Sequence, residues 1–488
     1  MEMGVLFLTL AGGRKIVLYY LLSDDGVPPG ETTRNSGRKS FLRAGSYPCA
    51  PVRPGSAARR KGRISNLEEI RKRLADGVYL TCLPARKFKT SLLSAQFVTP
   101  LRGETASVYA LLPAILRRGT VRYPDMGALA AQLDRLYGAE IDYTVRKKGE
   151  NQCVGFVASF LSDDFVPGGE KLLEPTAALL GELICAPVTR SGRFLPEYAE
   201  GEKTNLIDAI RSLLNDKRDY ADWRLLQEMC AGEPYGVGRM GDERTAERIS
   251  LQKLYSQYTH LISTSRLELF YSGSAAPERV EAALLDAFSV LPRENVAPLA
   301  VCAAHPGRSE VRTVTEAMDV TQGKLGMGFS CGSDDFPALL LGNTLFGGSS
   351  NSKLFLNVRE KLSLCYFASS SYHRQKQLIT VSSGIEFADY QRAYDEILLQ
   401  LQSVQRGQLE EWELPGARST LLNAYASMGD SQSKLENFYL GQAAAGLDDS
   451  PQDLAREVRE TAAERIFAAM QTVRLDTVYF LRGKEAAE

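Results

Sequence analysis

An α+β fold of two homologous domains, each a mainly antiparallel sheet covered by helices, is predicted by three features of this sequence. The chain has 488 residues, more than one ordinary hydrophobic core organises. Strand-like segments cluster in each half with long helices between them, the order expected of sheets covered by helices. Segments of the first half also return in the second. "RLELFYSGSAAPE" from Arg266 echoes "RLDTVYFLRGKEAAE" from Arg474, and "CVGFVASF", followed by an acidic turn and a helix, echoes "LITVSSGIEFADYQRAYDEILLQL". A period of a little over two hundred residues indicates a duplication. The expected domains are residues 65–296 and 297–488, after an extension of residues 1–64.

The extension differs from the rest. Gly4 to Leu10 and Ile16 to Leu22 are apolar stretches split by Arg14 and Lys15, which is not the order of a signal peptide. Arg34 to Arg63 is basic, with Gly, Ser and Pro and no acidic residue. Such a segment buries too little apolar surface to offset its ordering entropy, so a disordered extension is expected; a basic arm for RNA or lipid headgroups is the alternative.

Order is expected from Ser65, with Asn66 capping a short helix through Glu68, Glu69 and Arg73. Val78 to Leu83 and Thr90 to Thr99 read as strands around the basic turn Arg86–Lys89. Ser107 to Arg118 is apolar and helical. Met126 to Tyr137 is an amphipathic helix with Leu129, Leu133 and Leu136 on one face. Ile141 to Val145 and Asn151 to Phe160 are strand-like, Glu170 to Ile184 helical, and Glu197 to about Met229 one long helical region. Leu267 to Gly273 is a strand and Pro277 to Leu291 a helix. The second half repeats the order. Gly323 to Ser330 is a strand, Asp335 to Phe346 a helix ending in Gly347-Gly348, and Ser352 to Glu360 a second helix. Leu364 to Ser371 and Leu378 to Ile385 are strands, Asp389 to Val404 and Gln408 to Met428 helices, and Arg474 to Leu481 a closing strand.

Composition narrows the function classes. Hydrophobic residues make up 44%, charged residues 24%, and the formal net charge is -1, which gives no global drive toward nucleic acid or an anionic membrane. No apolar run is long enough to span a bilayer. Eight dispersed cysteines include no C-x-x-C pair, and fit reduced thiols in a cytoplasmic protein. Only three histidines occur, His260, His305 and His373, none at metal-clamp spacing. A histidine metal site could form only by long-range convergence; no metal and no cofactor is expected.

"LLLGNTLFGGSSNSKLFLNVREKLSLCYFASSSY" from Leu339 carries a helix, a Gly-Gly turn, Ser, Leu-Phe, a VREK segment and a Tyr seven residues after the Arg. It resembles the second-half signature of the pitrilysin (insulinase-like) metallopeptidases. The resemblance extends from about residue 66 to the C-terminus. "GEPYGVGRMGD" from Gly232 looks like the family's His-Pro-Tyr-Gly segment, with Glu233 at the His position. A closer resemblance is to a bacterial group of inactive members, encoded beside an active paralogue and linked to maturation of a modified lysine on translation elongation factor P.

What the resemblance implies is a peptidase-like chain without the peptidase site. The active family uses H-x-x-E-H, in which two histidines bind zinc and the glutamate activates water. The matching stretch is "ALLPAILRRGT", Ala110 to Thr120, with Ala110 and Ala114 at the histidine positions and Pro113 at the general base. Neither alanine has a donor atom, and proline has no side-chain proton acceptor. The family's distant zinc-ligating glutamate is expected near Asp208 or Ala209. Arg359 and Tyr366 match the pair that, in active members, reaches toward substrate near the zinc, where two donors can hold a peptide carbonyl and stabilise its oxyanion. Read from their residue types alone, they are a helix-surface Arg paired with Glu360 or Glu396, and a core Tyr. Leu364 and Cys365 replace the small residues usual before this Tyr. The Gly347–Ser350 turn lacks the Lys-Ser/Thr of a phosphate loop and suits a tight junction of two helices.

The expected function is therefore a subunit with no activity of its own. It would pair with a zinc-bearing paralogue in a heterodimer and enclose a peptide or an unfolded protein segment, the second wall of the chamber coming from that partner. Neither nucleic acid nor membrane is expected as a partner. The alternative is a scaffold or binding protein in elongation factor P modification, with no proteolytic role.

Overall fold

The computed structural model describes residues 3–9, 15–21 and 69–484. Residues 1–63 and 64–488 are separate units. In the first, β1 (Met3–Thr9) pairs antiparallel with β2 (Lys15–Leu21), Met3 opposite Leu21. The expected disordered extension is described only in this hairpin; its basic run 34–63 lies outside the described residues.

The larger unit holds two sheets of matching topology. The first runs in the order β3 (Ile70–Ala75), β4 (Val78–Pro84), β10 (Arg266–Gly273), β5 (Thr90–Pro100), β7 (Asn151–Leu161), β6 (Glu140–Lys148). The second runs β11 (Arg312–Met318), β15 (Arg474–Gly483), β12 (Gly323–Ser330), β14 (Leu378–Ile385), β13 (Cys365–His373). β10 is parallel to β4 and antiparallel to β5, and β15 is parallel to β11 and antiparallel to β12. Arg266 and Arg474, the starts of the two echoing segments, thus open equivalent strands, as do β7 and β14 for the other echo. A two-strand hairpin, β8 (Thr189–Arg190) with β9 (Arg193–Phe194), completes the pairing among the described residues.

Helices α1 (Gly103–Leu116), α2 (Met126–Arg135), α3 (Leu173–Cys185), α4 (Pro196–Ser212), α5 (Lys217–Met229), α6 (Glu243–Glu247), α7 (Leu251–Thr264) and α8 (Pro277–Ala287) belong to the first half. Helices α9 (Phe336–Phe346), α10 (Tyr390–Gln405), α11 (Glu413–Met428), α12 (Gln432–Ala445), α13 (Pro451–Glu460) and α14 (Ala463–Met470) belong to the second, with a wide π-type helix at Leu354–Lys361.

Two local expectations are corrected. Residues 70–75 form the edge strand β3, not a helix capped by Asn66: Arg71 reaches across β4 to Thr81 and to Glu268 of β10, so long-range pairing overrides the local capping signal. The long helical region 197–229 is two helices, because the Asp216 carboxylate accepts the backbone N–H groups of Arg218 and Asp219 and starts a new one.

That break lets the halves exchange helices. α5, from the first half, lies on the second sheet, where Tyr220, Ala221 and Leu225 pack with Tyr479 and Leu481. α12, from the second half, lies on the first sheet. Its Leu435 and Tyr439 pack with Leu83, Leu92 and Phe270, and its Leu440 and Ala444 pack with Val98 and Cys153. Glu436 of α12 is held in a buried fork by Arg146 at 2.6 and 2.7 Å and accepts from Ser94 Oγ at 2.7 Å. Gly326 and Gly328 of β12 permit α5 to lie close, since a Cβ at Gly328 would stand 2.5 Å from Met229 Sδ.

One group at this contact carries a pH prediction. Burial raises the carboxyl of Asp222 on α5 to about 6, although a hydrogen bond to Ser382 and the charge of Arg218 oppose the shift. Between about pH 4 and pH 6 the folded chain holds a proton that the unfolded chain has released, so this stabilisation is complete below the window and lost as pH rises through it. Asp222→Asn is expected to remove that slope and to stabilise the protein at pH 7 by on the order of 1–2 kcal/mol. Urea titrations of both proteins at pH 4 and pH 7 check it; equal slopes would mean that Asp222 stays hydrated.

Candidate functional site

The three positions matched to the motif lie on α1. Ala110 and Ala114 lie on one face of α1 and line a cavity of about 390 Å³ with Tyr143, Arg146, Glu202 and Asn205. Pro113 is buried in the same helix. α4 forms the facing wall with Glu202, Asn205, Leu206 and Ala209, which recur at helical spacing. Of the two positions expected for the distant glutamate, Ala209 faces the cavity. Asp208 points to solvent, 3.8 Å from Arg211. The carboxylate at this wall is Glu202, one face-sharing step of seven residues before Ala209; that spacing is the signal that could have found it. Arg118 forms an ion pair with Glu202. One carboxylate already neutralised by a guanidinium, among methyl groups, is a poor site for a transition metal.

Arg359 and Tyr366 lie in the other half. Arg359 rises from the π-type helix, stacks 4.6 Å above the Phe355 ring and approaches Glu360 at 3.5 Å. Glu396 is engaged by Gln400 instead. Tyr366 is the extra residue of a bulge between Cys365 and Phe367 in β13, the edge strand of its sheet. It is 68% exposed, so it is not a core tyrosine. Leu364 and Cys365 are buried beneath it. Tyr366 is thus presented outward from the edge strand, Arg359 is half-exposed, and part of the strand's free side is taken by Gly347, whose carbonyl accepts the Ser370 N–H at 2.9 Å. Gly347 serves a close approach: a Cβ there would stand 2.7 Å from Leu354 Cδ1 and from Ser370 Oγ.

A second constellation forms where the halves meet, which sequence spacing did not reveal. His260 is exposed on α7, and His373 is half-buried between Tyr235 Oη at 3.1 Å and Thr380 Oγ1 at 3.0 Å, its imidazole pushed down to about 4 by desolvation and by the charge of Lys147. His305, in the connector between the sheets, is different. Its Nδ1 lies 2.8 Å from Glu233 Oε1 and its Nε2 3.2 Å from Asp476 Oδ2, at the base of β15. Burial opposes the imidazolium, but hydrogen bonds to Asp476, Cys230 and Glu233 outweigh it and lift the group to about 10. Lys376, in the β13–β14 turn, bridges Glu150 of the β6–β7 turn at 2.7 Å and Glu233. Arg308 approaches Asp476 at 3.6 Å. The hairpin turns of the two sheets are therefore fastened to each other through charges. Long-range convergence, the one route open to a histidine site, also brings Cys230 and Glu233 to His305.

Residues 248–421 match the family model "Peptidase M16 inactive domain". A Bacillus subtilis (strain 168) protein named "Probable inactive metalloprotease YmfF" is 32% identical over 415 residues, covering 84% of this chain and 97% of its own length. The crystal structure of a conserved protein from Enterococcus faecalis V583 superposes with a TM-score of 0.77 at 26% identity, over 85% of this chain and 99% of that one. That of a peptidase M16 inactive domain from Pseudomonas fluorescens gives 0.70 at 18% identity, over 86% and 99%, and shares the fold. With 32% identity over nearly the whole of a relative, and with no H-x-x-E-H in its sequence, the chain belongs to the M16 (pitrilysin) peptidase family as an inactive member.

Proposed function

We propose that this chain is the non-catalytic wall of a two-chain peptidase chamber, pairing with a zinc-bearing paralogue and presenting Arg359 and Tyr366 to a peptide held near the partner's zinc. The observation that supports it most directly is the contrast between the two halves. The positions matched to the motif in the first half carry no metal donor, whereas the second half has an exposed phenol on the edge strand β13 and a half-exposed guanidinium on the helix Leu354–Lys361. A strand edge of this kind can take up an extended peptide by main-chain hydrogen bonding. Donors placed next to it can hold a scissile carbonyl and stabilise the oxyanion that develops on it. Nothing in the first half needs those donors, so a partner's metal is the natural destination. The cavity between α1 and α4 offers one carboxylate, Glu202, already paired with Arg118, which supports the reading of a wall without catalysis of its own.

The test is a reconstituted pair with a zinc-bearing M16 paralogue, assayed with wild-type chain and with Tyr366→Phe, which keeps the ring and removes the donor. Turnover by the complex is expected to fall on the order of 10²-fold with assembly intact. Unchanged cleavage in a stable complex eliminates the donor role. Failure to co-purify with such a paralogue favours the alternative, a scaffold acting in protein modification without proteolysis.

A further inference from the structure

We propose that Cys230, Glu233 and His305 form a three-ligand site for a zinc-class divalent cation at the junction of the two domains. The site is separate from the degenerate motif between α1 and α4, and nothing in it depends on a partner chain.

Cys230 caps the C-terminus of α5, and its carbonyl accepts the backbone N–H of Glu233 at 3.0 Å. That turn brings the thiol and the carboxylate to one side. His305 arrives from the connector, anchored by its own N–H to the Lys376 carbonyl at 2.9 Å. One donor atom from each of the three, sulfur, oxygen and nitrogen, lies within 4.8 Å of the other two. A thiolate, an imidazole and a carboxylate together suit zinc, or cobalt(II) in its place, rather than calcium or magnesium, which require all-oxygen shells.

The surrounding groups are those that a ligand set needs. Asp476, with a side chain 0% exposed, stands behind the imidazole at Nε2, which leaves Nδ1 as the nitrogen turned toward Glu233 and Cys230. A carboxylate behind a metal-bound histidine orients the ring and fixes its tautomer. Thr477 Oγ1 donates to the other Asp476 oxygen at 2.7 Å, so that carboxylate is itself held. Lys376 holds the second oxygen of Glu233.

Four basic groups, His305, Lys376, Arg308 and Lys147, and three carboxylates, Glu150, Glu233 and Asp476, gather around this point. Binding would form Nδ1–M and Sγ–M bonds and release the protons that those two atoms carry. Cys230 and Glu233 come from the first half and His305 from the connector to the second, so the bound ion acts as a clamp between domains.

The experiment uses the purified full chain, stripped with chelator and titrated with Zn²⁺ or Co²⁺ alone. About one ion per chain is expected, and the Co²⁺ form should show a thiolate-to-metal charge-transfer band in the near ultraviolet. Cys230→Ser, which keeps the shape of the side chain, should abolish that band. Asp476→Asn should weaken binding about 10–100-fold. Glu202→Gln, in the cavity of the degenerate motif, should bind as wild type. Zn²⁺ should raise the Tm of the wild-type chain and not that of Cys230→Ser. A chain that binds neither ion, a Co²⁺ spectrum without the thiolate band, or binding unchanged in Cys230→Ser each overturns the assignment.

Discussion

Replacing Lys376 by Met is expected to destabilise the chain by about 3–5 kcal/mol, because the substitution strands the buried Glu150 carboxylate and takes one of two partners from Glu233, which keeps His305. The Lys376 side chain is 1% exposed and forms ion pairs with Glu150 and Glu233. Burial alone would lower its ammonium, but the hydrogen bonds to those two carboxylates outweigh burial and raise it, so the lysine is charged in the folded chain. Methionine fills similar space and offers no donor. Glu150, itself buried, would then keep a charge without a partner. Urea denaturation at pH 7 with chelator present measures the loss, and adding Glu150→Gln to the same chain should recover part of it. A loss under about 1 kcal/mol would mean that water reaches both carboxylates and that the junction is looser than these contacts require.

Leu225→Ala is expected to cost about 2–5 kcal/mol, the range for a fully buried leucine whose neighbours relax only in part. Leu225 is 0% exposed, and from α5 it approaches Gly326 and, beside Met229, Gly328 on β12. The rigid sheet beneath it leaves little room for collapse into the void. Leu435→Ala, on α12 and 2% exposed against the first sheet, should cost a similar amount if the two exchanged helices are equivalent. Urea curves of the two variants test this together. A loss below 1 kcal/mol for Leu225→Ala would show that α5 rests on the second sheet without contributing to its core.

Sequence reading reached the duplication because strands bear a local signature. β10 and β15 were visible as matching apolar runs, and the sheets give them the same neighbours. It missed α12, whose residues show almost no segregation of apolar and polar faces. That helix touches a foreign sheet with Leu435 and Tyr439 and carries Glu436 inward to Arg146, so its inward face is part charged. It placed a helix at residues 66–73 for the opposite reason: the capping signal was local, but the strand partner, β4, is supplied by the sheet. The same division holds for the candidate sites. Ala110 and Ala114 follow from the fixed spacing of the family motif, and both line the cavity. Glu202 does not follow from the expectation of Asp208 or Ala209, because helix phase cannot be set without the opposite wall.

By itself, the sequence determined what this chain lacks and what it repeats. Absent histidines cannot be restored by folding, so the loss of the inverted zinc motif is a property of composition and spacing. The two-domain duplication is likewise written in recurring periodicity, since strand and helix patterns depend on neighbours close in the chain. Only the tertiary structure decided which helix covers which sheet, and that Glu150, Glu233, His305, Lys376 and Asp476 meet. These residues are separated by up to 326 positions in the chain, and each alone reads as an ordinary polar residue. Their charges are compatible with burial only in one another's company, so their meaning arises when the two hairpin turns and the connector are brought to the same place.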